Sequence, residues 1–142
     1  MSKTEVLGKI AQVNQPAERV FASFSDLSNF VKNLPNEHRD KVRADTDTLV
    51  VQAQGIELGI RVAERTPYSQ VRFEHYGAQT LFPFTIWIHI GEAGTDASTL
   101  QIELHAELNM MMKMMLGSKL QEGIDQITEQ LAAGINRRTE AS

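Results

Sequence analysis

The sequence predicts an α+β protein in which a one-sided antiparallel sheet is covered by a single long C-terminal helix. Three observations carry that expectation. Segments between residues 48 and 108 alternate apolar and polar residues with a period of two, as half-buried strands do. After Met110 the period becomes helical and stays so almost to the end of the chain. A strand-like opening and a short helical stretch precede both.

The opening segment "TEVLGKIAQV" mixes polar and apolar residues like a strand with one buried face, and Asn14, Gln15 and Pro16 break it. Proline suits a helix start, where its missing N–H has no partner to lose. Glu18 follows in the first turn, where the helix dipole favours a carboxylate. Val20, Phe24, Leu27 and Val31, flanked by Phe21 and Phe30, keep helical spacing to about residue 32. Ser25 and Asp26 divide this stretch into two short helices, and "NLPNEH" ends the second.

Strands follow. "TLVVQAQ" and "IELGIRVAE" are separated by Gly55, and the second places Ile56, Leu58, Ile60 and Val62 on one face. "SQVRFEHYG" follows the turn "RTPYS" and puts Val71, Phe73 and His75 on one side. "LFPFTIWIHI" does the same with Phe82, Phe84, Ile86, Ile88 and Ile90, and "STLQIELHAELNM" with Leu100, Ile102, Leu104, Ala106 and Leu108. A slip of one residue would turn a buried set outward, so register is checkable by parity. Closing the turn between Arg65 and Gln70 aligns Val62 with Phe73 and Ile60 with His75. It also sets Arg61 opposite Glu74 on the outer face, a favourable cross-strand pair.

In the C-terminal helix, Met112, Leu116, Leu120, Ile124, Ile127, Leu131 and Ile135 recur at steps of four and three. Burying each is worth roughly 1.5–3 kcal/mol before entropy is counted, and the inner sheet face is the large apolar partner available. Gly117, Gly123 and Gly134 fall close to this stripe. Each costs about 1 kcal/mol relative to alanine in a helix, which points to close approach of helix and sheet. The chain is expected to form one domain over residues 1–142, frayed at 1–3 and 138–142.

Composition narrows the function classes. The formal net charge is −4 and the basic residues are scattered, whereas phosphate tracking needs clustered Lys and Arg, so no nucleic acid partner is expected. The absence of cysteine excludes disulfides, thiolate metal sites and a cysteine nucleophile. "MSKTEVLGKI" lacks the apolar core of a signal peptide, and the longest apolar run is too short to cross a bilayer. Cytoplasmic residence without stable membrane insertion is therefore the expectation. No Gly-rich phosphate loop, nucleophile elbow or helical metal-ligand motif is present, and no cofactor is expected.

The element order resembles the helix-grip fold of the START-like, birch-pollen-allergen-like and polyketide cyclase-like (SRPBCC) superfamily. The stretch "VNQPAERVFASFSDLSNFVKNLP" carries the likeness: a strand runs into a proline-bearing helix start and a Val–aromatic pair, then come an Asp, an aromatic and a further proline. Phe21 stands where that superfamily often has tryptophan. The resemblance implies a curved antiparallel sheet of about six or seven strands wrapped around the long helix, with two short helices after the first strand. It also implies a cavity that holds apolar small molecules; members include enzymes, carriers and adaptors.

Three sets of residues are candidates for function. Met110, Met111, Met112, Met114 and Met115 hold five of the six methionines. Met110 continues the inward parity of the preceding strand and Met112 belongs to the helical stripe. The others would cover a loop or a neighbouring subunit, or form a pliable rim at a cavity mouth. Thioethers suit Cu(I), but the run starts a helix whose other positions are core, and two lysines are few for a membrane contact, so neither is expected. On the outer face, Trp87, His89, Glu103, His105 and Glu107 share a side, with Arg72 beside Trp87. Zinc needs three or four ligands with outer-shell support, and no metal is expected there. His75 shares the inward face with Val71 and Phe73, either as a satisfied histidine near the strand end or as the polar handle of a pocket.

The leading reading is a protein that binds or shields a hydrophobic, lipid- or polyketide-like molecule between sheet and helix. Phe24, Phe30, Phe73, Phe84, Met112, Leu116 and Leu120 would supply contacts and His75 one orienting hydrogen bond. A cyclase- or dehydratase-type enzyme using His75 as acid or base is the alternative, and an interaction module with a filled core is a third. An exposed Met patch and a Trp-bearing sheet face point to a homodimer.

Overall fold

The computed structural model describes residues 2–29, 40–53, 56–77 and 82–141. Strand β1 (Ser2–Val13) leads into helix α1 (Ala17–Ser25). Six strands follow: β2 (Val42–Ala44), β3 (Thr48–Ala53), β4 (Ile56–Thr66), β5 (Gln70–His75), β6 (Phe84–Glu92) and β7 (Ser98–Leu108). Helix α2 (Met110–Ala141) closes the chain. All neighbouring strands are antiparallel, in the order β1-β7-β6-β5-β4-β3-β2, so β1 and β2 are the edges. This is the helix-grip arrangement. The expected second short helix, with Phe30 and Val31, and the Gly55 turn lie outside the described residues, although Ser28 and Asn29 are helical.

The parity argument holds across the sheet. Ile60 faces His75, Val62 faces Phe73, and Arg61 faces Glu74, with Arg61 Nε donating to Glu74 Oε1 at 2.6 Å. Inward rows run from strand to strand. Leu49, Ile60, His75, Phe84, Ala106 and Thr4 form one; Val62, Phe73, Ile86, Leu104 and Val6 form the next. The three-residue edge strand β2 is too short to show alternation and was not anticipated from sequence.

One irregularity changes what a side chain does. The β4–β5 hairpin closes on Thr66 and Gln70, one residue later than expected, and a bulge at Ala63 restores the inner register. The bulge moves Arg65 opposite inward-facing Val71. Its Nε and Nη2 donate to Ser25 O at 2.9 and 2.7 Å, and Nη2 meets Asp47 at 2.7 Å. Arg65 thus caps the C-terminus of α1 and ties it to the β2–β3 turn.

Helix α2 does not bury the face that its apolar stripe predicts. Ile124, Thr128, Ala132 and Ile135 are buried, whereas Met112, Leu116, Leu120 and Leu131 are half-buried and Ile127 is 50% exposed. The buried side lies on β1 and β7. Thr128 tolerates full burial because its hydroxyl donates to Ile124 O at 2.8 Å. Polar side chains do the docking. Gln121 donates to Leu7 O at 3.1 Å, Asp125 accepts from Lys9 N at 2.8 Å, and Asn136 accepts from Asn14 N at 2.8 Å. A bulge between Leu7 and Ile10 presents Leu7 O and Lys9 N, and Gln101 of β7 satisfies Gly8 O at 2.9 Å. The close approach sits in the strand: a Cβ on Gly8 would lie 2.7 Å from Ile124 Cγ2 and 3.0 Å from Ile102 O. The helix glycines do not serve that purpose. Among the described residues nothing lies within 4 Å of a Cβ built on Gly117 or Gly123, and on Gly134 only the Arg137 side chain does.

The outer face carries a polar chain of contacts. Glu103 accepts from His89 Nε2 at 2.9 Å and from His105 Nε2 at 2.6 Å, and Trp87 packs on the His105 ring with centroids 4.5 Å apart. The hydrogen bond from His89, then that from His105, holds the Glu103 carboxyl below its ordinary value of 4.5. A carboxyl shifted down on folding adds stability above that ordinary value and loses it as pH falls through the lower folded value.

Two outcomes follow for unfolding measurements. In chemical denaturation, Gly8→Val lowers stability by about 1–3 kcal/mol through the collision with Ile124, while Gly117→Ala raises it by about 1 kcal/mol. Glu103→Gln is less stable than the native protein at pH 6, and this difference shrinks toward zero on acidification to well below pH 4.5.

Candidate functional site

The inner face is unevenly covered, and the uneven part defines the candidate site. On the side of β1 and β7 the core is sealed: Val13, Leu100 and Leu108 have no exposure, and Ala106 has 1%. Toward β3 and β4 the apolar face stays open. Leu49, Ile60, Val62, Phe84 and Ile86 are half-buried, and Leu58 is exposed. Met112, Leu116 and Leu120 of α2 are half-buried too. Because α2 is docked on β1 and β7, its apolar stripe and the β3–β6 part of the sheet are both left incompletely covered. Gly117 and Gly123, with open space at their Cβ positions, lie on the same stretch of helix.

The expected site residues divide into three groups. Phe84, Met112, Leu116 and Leu120 belong to this half-open region. Phe24 and Phe73, at 3% and 2% exposure, are part of the packed core beneath α1. Phe30 lies outside the described residues. Met110, expected to continue inward, is 80% exposed. Its strand parity ends at Asn109, whose side chain accepts from Met112 N at 2.8 Å and starts the helix one residue earlier than alternation assumes.

His75 keeps its inward parity but sits exposed at the end of β5. Its Nδ1 lies 3.2 Å from Phe84 N and 3.3 Å from Phe84 O, and the two rings are 5.8 Å apart. The backbone of β6 therefore engages Nδ1 in either tautomer and fixes the ring, leaving Nε2 for another partner. No carboxylate pairs with His75 among the described residues. In the same row of the sheet, the Thr4 hydroxyl is buried and has no hydrogen-bond partner among the described residues. Sequence gave no signal for that hydroxyl, since threonine is ordinary in a strand.

Other candidates are placed elsewhere. No three His, Asp or Glu side chains are grouped to hold a metal among the described residues. On the outer face, His89 and His105 point their Nε2 atoms at different oxygens of Glu103 rather than at a shared point. An open groove of about 360 Å³ lies between the α1 start and two turns, lined by Pro16, Glu18, Tyr68, Glu92 and Thr95 among others. Tyr68 has φ 68° there, a left-handed conformation that favours glycine, and its ring packs edge-on against Phe21. Among the described residues no helix is long and apolar enough to cross a membrane.

Comparison with known proteins bears on the architecture. No protein-family profile matches the chain, and no curated protein matches it. Solved structures do. Norcoclaurine synthase from Thalictrum flavum, in complex with dopamine and hydroxybenzaldehyde, aligns over 99% of this chain and 88% of its own at 11% identity, with a TM-score of 0.75. A START superfamily protein from Mycobacterium smegmatis aligns over 96% and 97% at 19% identity, TM-score 0.61. A Rhizobium loti protein aligns over 94% and 99% at 18% identity, TM-score 0.68. At these identities the likeness concerns the fold, and the fold of this chain is the helix grip shared by START-like and birch-pollen-allergen-like proteins.

Proposed function

We propose that the protein binds a hydrophobic small molecule, lipid- or polyketide-like, between the β3–β6 part of its sheet and the N-terminal half of α2. The observation that carries this reading is the pair of half-covered apolar surfaces. Leu49, Ile60, Val62, Phe84 and Ile86 on the sheet, and Met112, Leu116 and Leu120 on the helix, are left half-buried, whereas Val13, Leu100, Ala106 and Leu108 on the β1–β7 side are sealed. Apolar area left open costs roughly 25 cal/mol per Å² relative to burial, and a ligand recovers it. The helix cannot close over the region without giving up its polar contacts to β1.

His75 supplies orientation. With Nδ1 fixed by the Phe84 backbone, Nε2 makes one hydrogen bond to a polar group of the ligand. The absence of a paired carboxylate among the described residues favours binding over acid–base catalysis at this histidine, which otherwise needs a tuned group within reach of substrate. The fold is shared by norcoclaurine synthase and by START superfamily proteins, and it accommodates either role. Cytoplasmic residence and a homodimer belong to this reading as well; the dimer would use the Trp87-bearing outer face of the sheet.

An environment-sensitive apolar dye and native mass spectrometry with a lipid extract test the proposal. Both register binding by the native protein. His75→Phe weakens a ligand with a hydroxyl or carbonyl head about 3- to 10-fold, the value of one hydrogen bond, and leaves a pure hydrocarbon probe unaffected. Leu120→Gln weakens both. A protein that binds neither dye nor lipid refutes the reading.

A further inference from the structure

The first turns of α2 carry a feature that ligand binding does not use. Met110, Met111, Met114 and Met115 are 80%, 71%, 82% and 63% exposed. At about 100° per residue they occupy one continuous arc of about 140° on the helix. Lys113 lies on one side of that arc and Lys119 on the other. Met112 and Leu116, half-buried, border it on the side of the binding region. Apolar surface therefore runs without interruption from the proposed ligand site to the outside of the helix.

Charge at this end differs from the rest of the protein. The chain is −4 overall, yet between Glu107 and Glu122 it holds Lys113 and Lys119 and no acidic residue. The first turn of α2 carries no acid, so the partial positive charge of the helix N-terminus is left uncompensated. Two lysines alone are few for a membrane contact, but with four exposed methionines between them at a positive helix end they fit an anionic lipid surface: the thioethers enter the acyl boundary, and the lysines reach back to the phosphates.

We propose that the N-terminal turns of α2 dock peripherally on an anionic phospholipid surface, so that the site between sheet and helix opens toward the bilayer from which its ligand partitions. This rests on the function proposed above for the ligand's source but not for the docking itself. The contact is interfacial, consistent with a helix that cannot span a membrane. The methionines, with three rotatable bonds each, adapt to a fluid surface that would suit rigid side chains poorly.

Co-sedimentation with vesicles tests it. The native protein binds vesicles of phosphatidylcholine containing phosphatidylglycerol, and binds vesicles of phosphatidylcholine alone more weakly. Replacing all four exposed methionines by glutamine, a good helix former, abolishes vesicle binding, while the thermal unfolding midpoint and dye binding in solution stay as in the native protein. Lys113→Gln with Lys119→Gln lowers binding to the anionic vesicles roughly 30-fold and removes the preference for them. Dye binding without vesicle binding overturns the docking and leaves the ligand site standing; vesicle binding that needs the methionines, without dye binding, does the reverse. Vesicle binding that survives the glutamine replacements overturns the docking. So does a dimer in vesicle-free solution that those replacements dissociate, because the methionine surface then belongs to a second copy.

Discussion

The fastening of α2 to strand β1 sets the geometry of everything else. As a sheet edge, β1 has backbone groups that need partners other than a further strand. Gln121, Asp125 and Asn136 provide them over Leu7, Lys9, Gln12 and Asn14. These bonds are exposed, and each is worth about 0.5–1.5 kcal/mol, but several made at fixed positions set the helix along the edge, which an apolar stripe alone does not. Gly8 makes the contact close enough, since any larger residue would meet Ile124. Polar matching along one edge thereby decides how much apolar surface is left open on the other side of the helix.

That decision explains why the sheet has two characters. Near β1 and β7, small and branched residues interdigitate under the helix and exclude water. Toward β3 and β4 the same alternation of apolar side chains continues, with Leu49, Ile60 and Val62, but the helix is no longer above them. A protein interior is normally packed to crystal density. An apolar face that is patterned as core but only half-covered is the basis on which we propose a ligand site there. The polar lining is sparse, and one histidine held by the backbone would give direction to such a ligand without making the region hydrophilic.

Much of this was legible in the sequence, and what was missed has identifiable causes. Period-two patterning located five strands and the inward faces of four of them, and the Arg61–Glu74 pair correctly fixed the β4–β5 register. The Ala63 bulge was not legible. An extra residue in a hairpin leaves the alternation on each side intact and shows only where the two halves are compared, so in sequence Arg65 served only to close the turn, although it caps α1. The helix stripe was also read correctly as apolar, but apolar spacing does not say which partner wins. Here Asp125 and Asn136, which look like ordinary solvent-facing polar residues, turned Thr128 and Ala132 inward and left Ile127 half exposed.

The methionine run shows the same limit from the other side. Its composition suggested either core or contact, and periodicity could not choose, since the run begins where a strand ends and a helix starts. Asn109 settles the point by accepting from Met112 N, which makes Met110 the first helical residue and rotates it out of the strand's inward set. A folded chain gains nothing from holding four thioethers in water at the end of a helix fastened elsewhere. On the proposals made above, their exposure beside a half-open apolar face makes two parts of one surface, one that would receive an apolar molecule and one that would meet the place where such molecules reside.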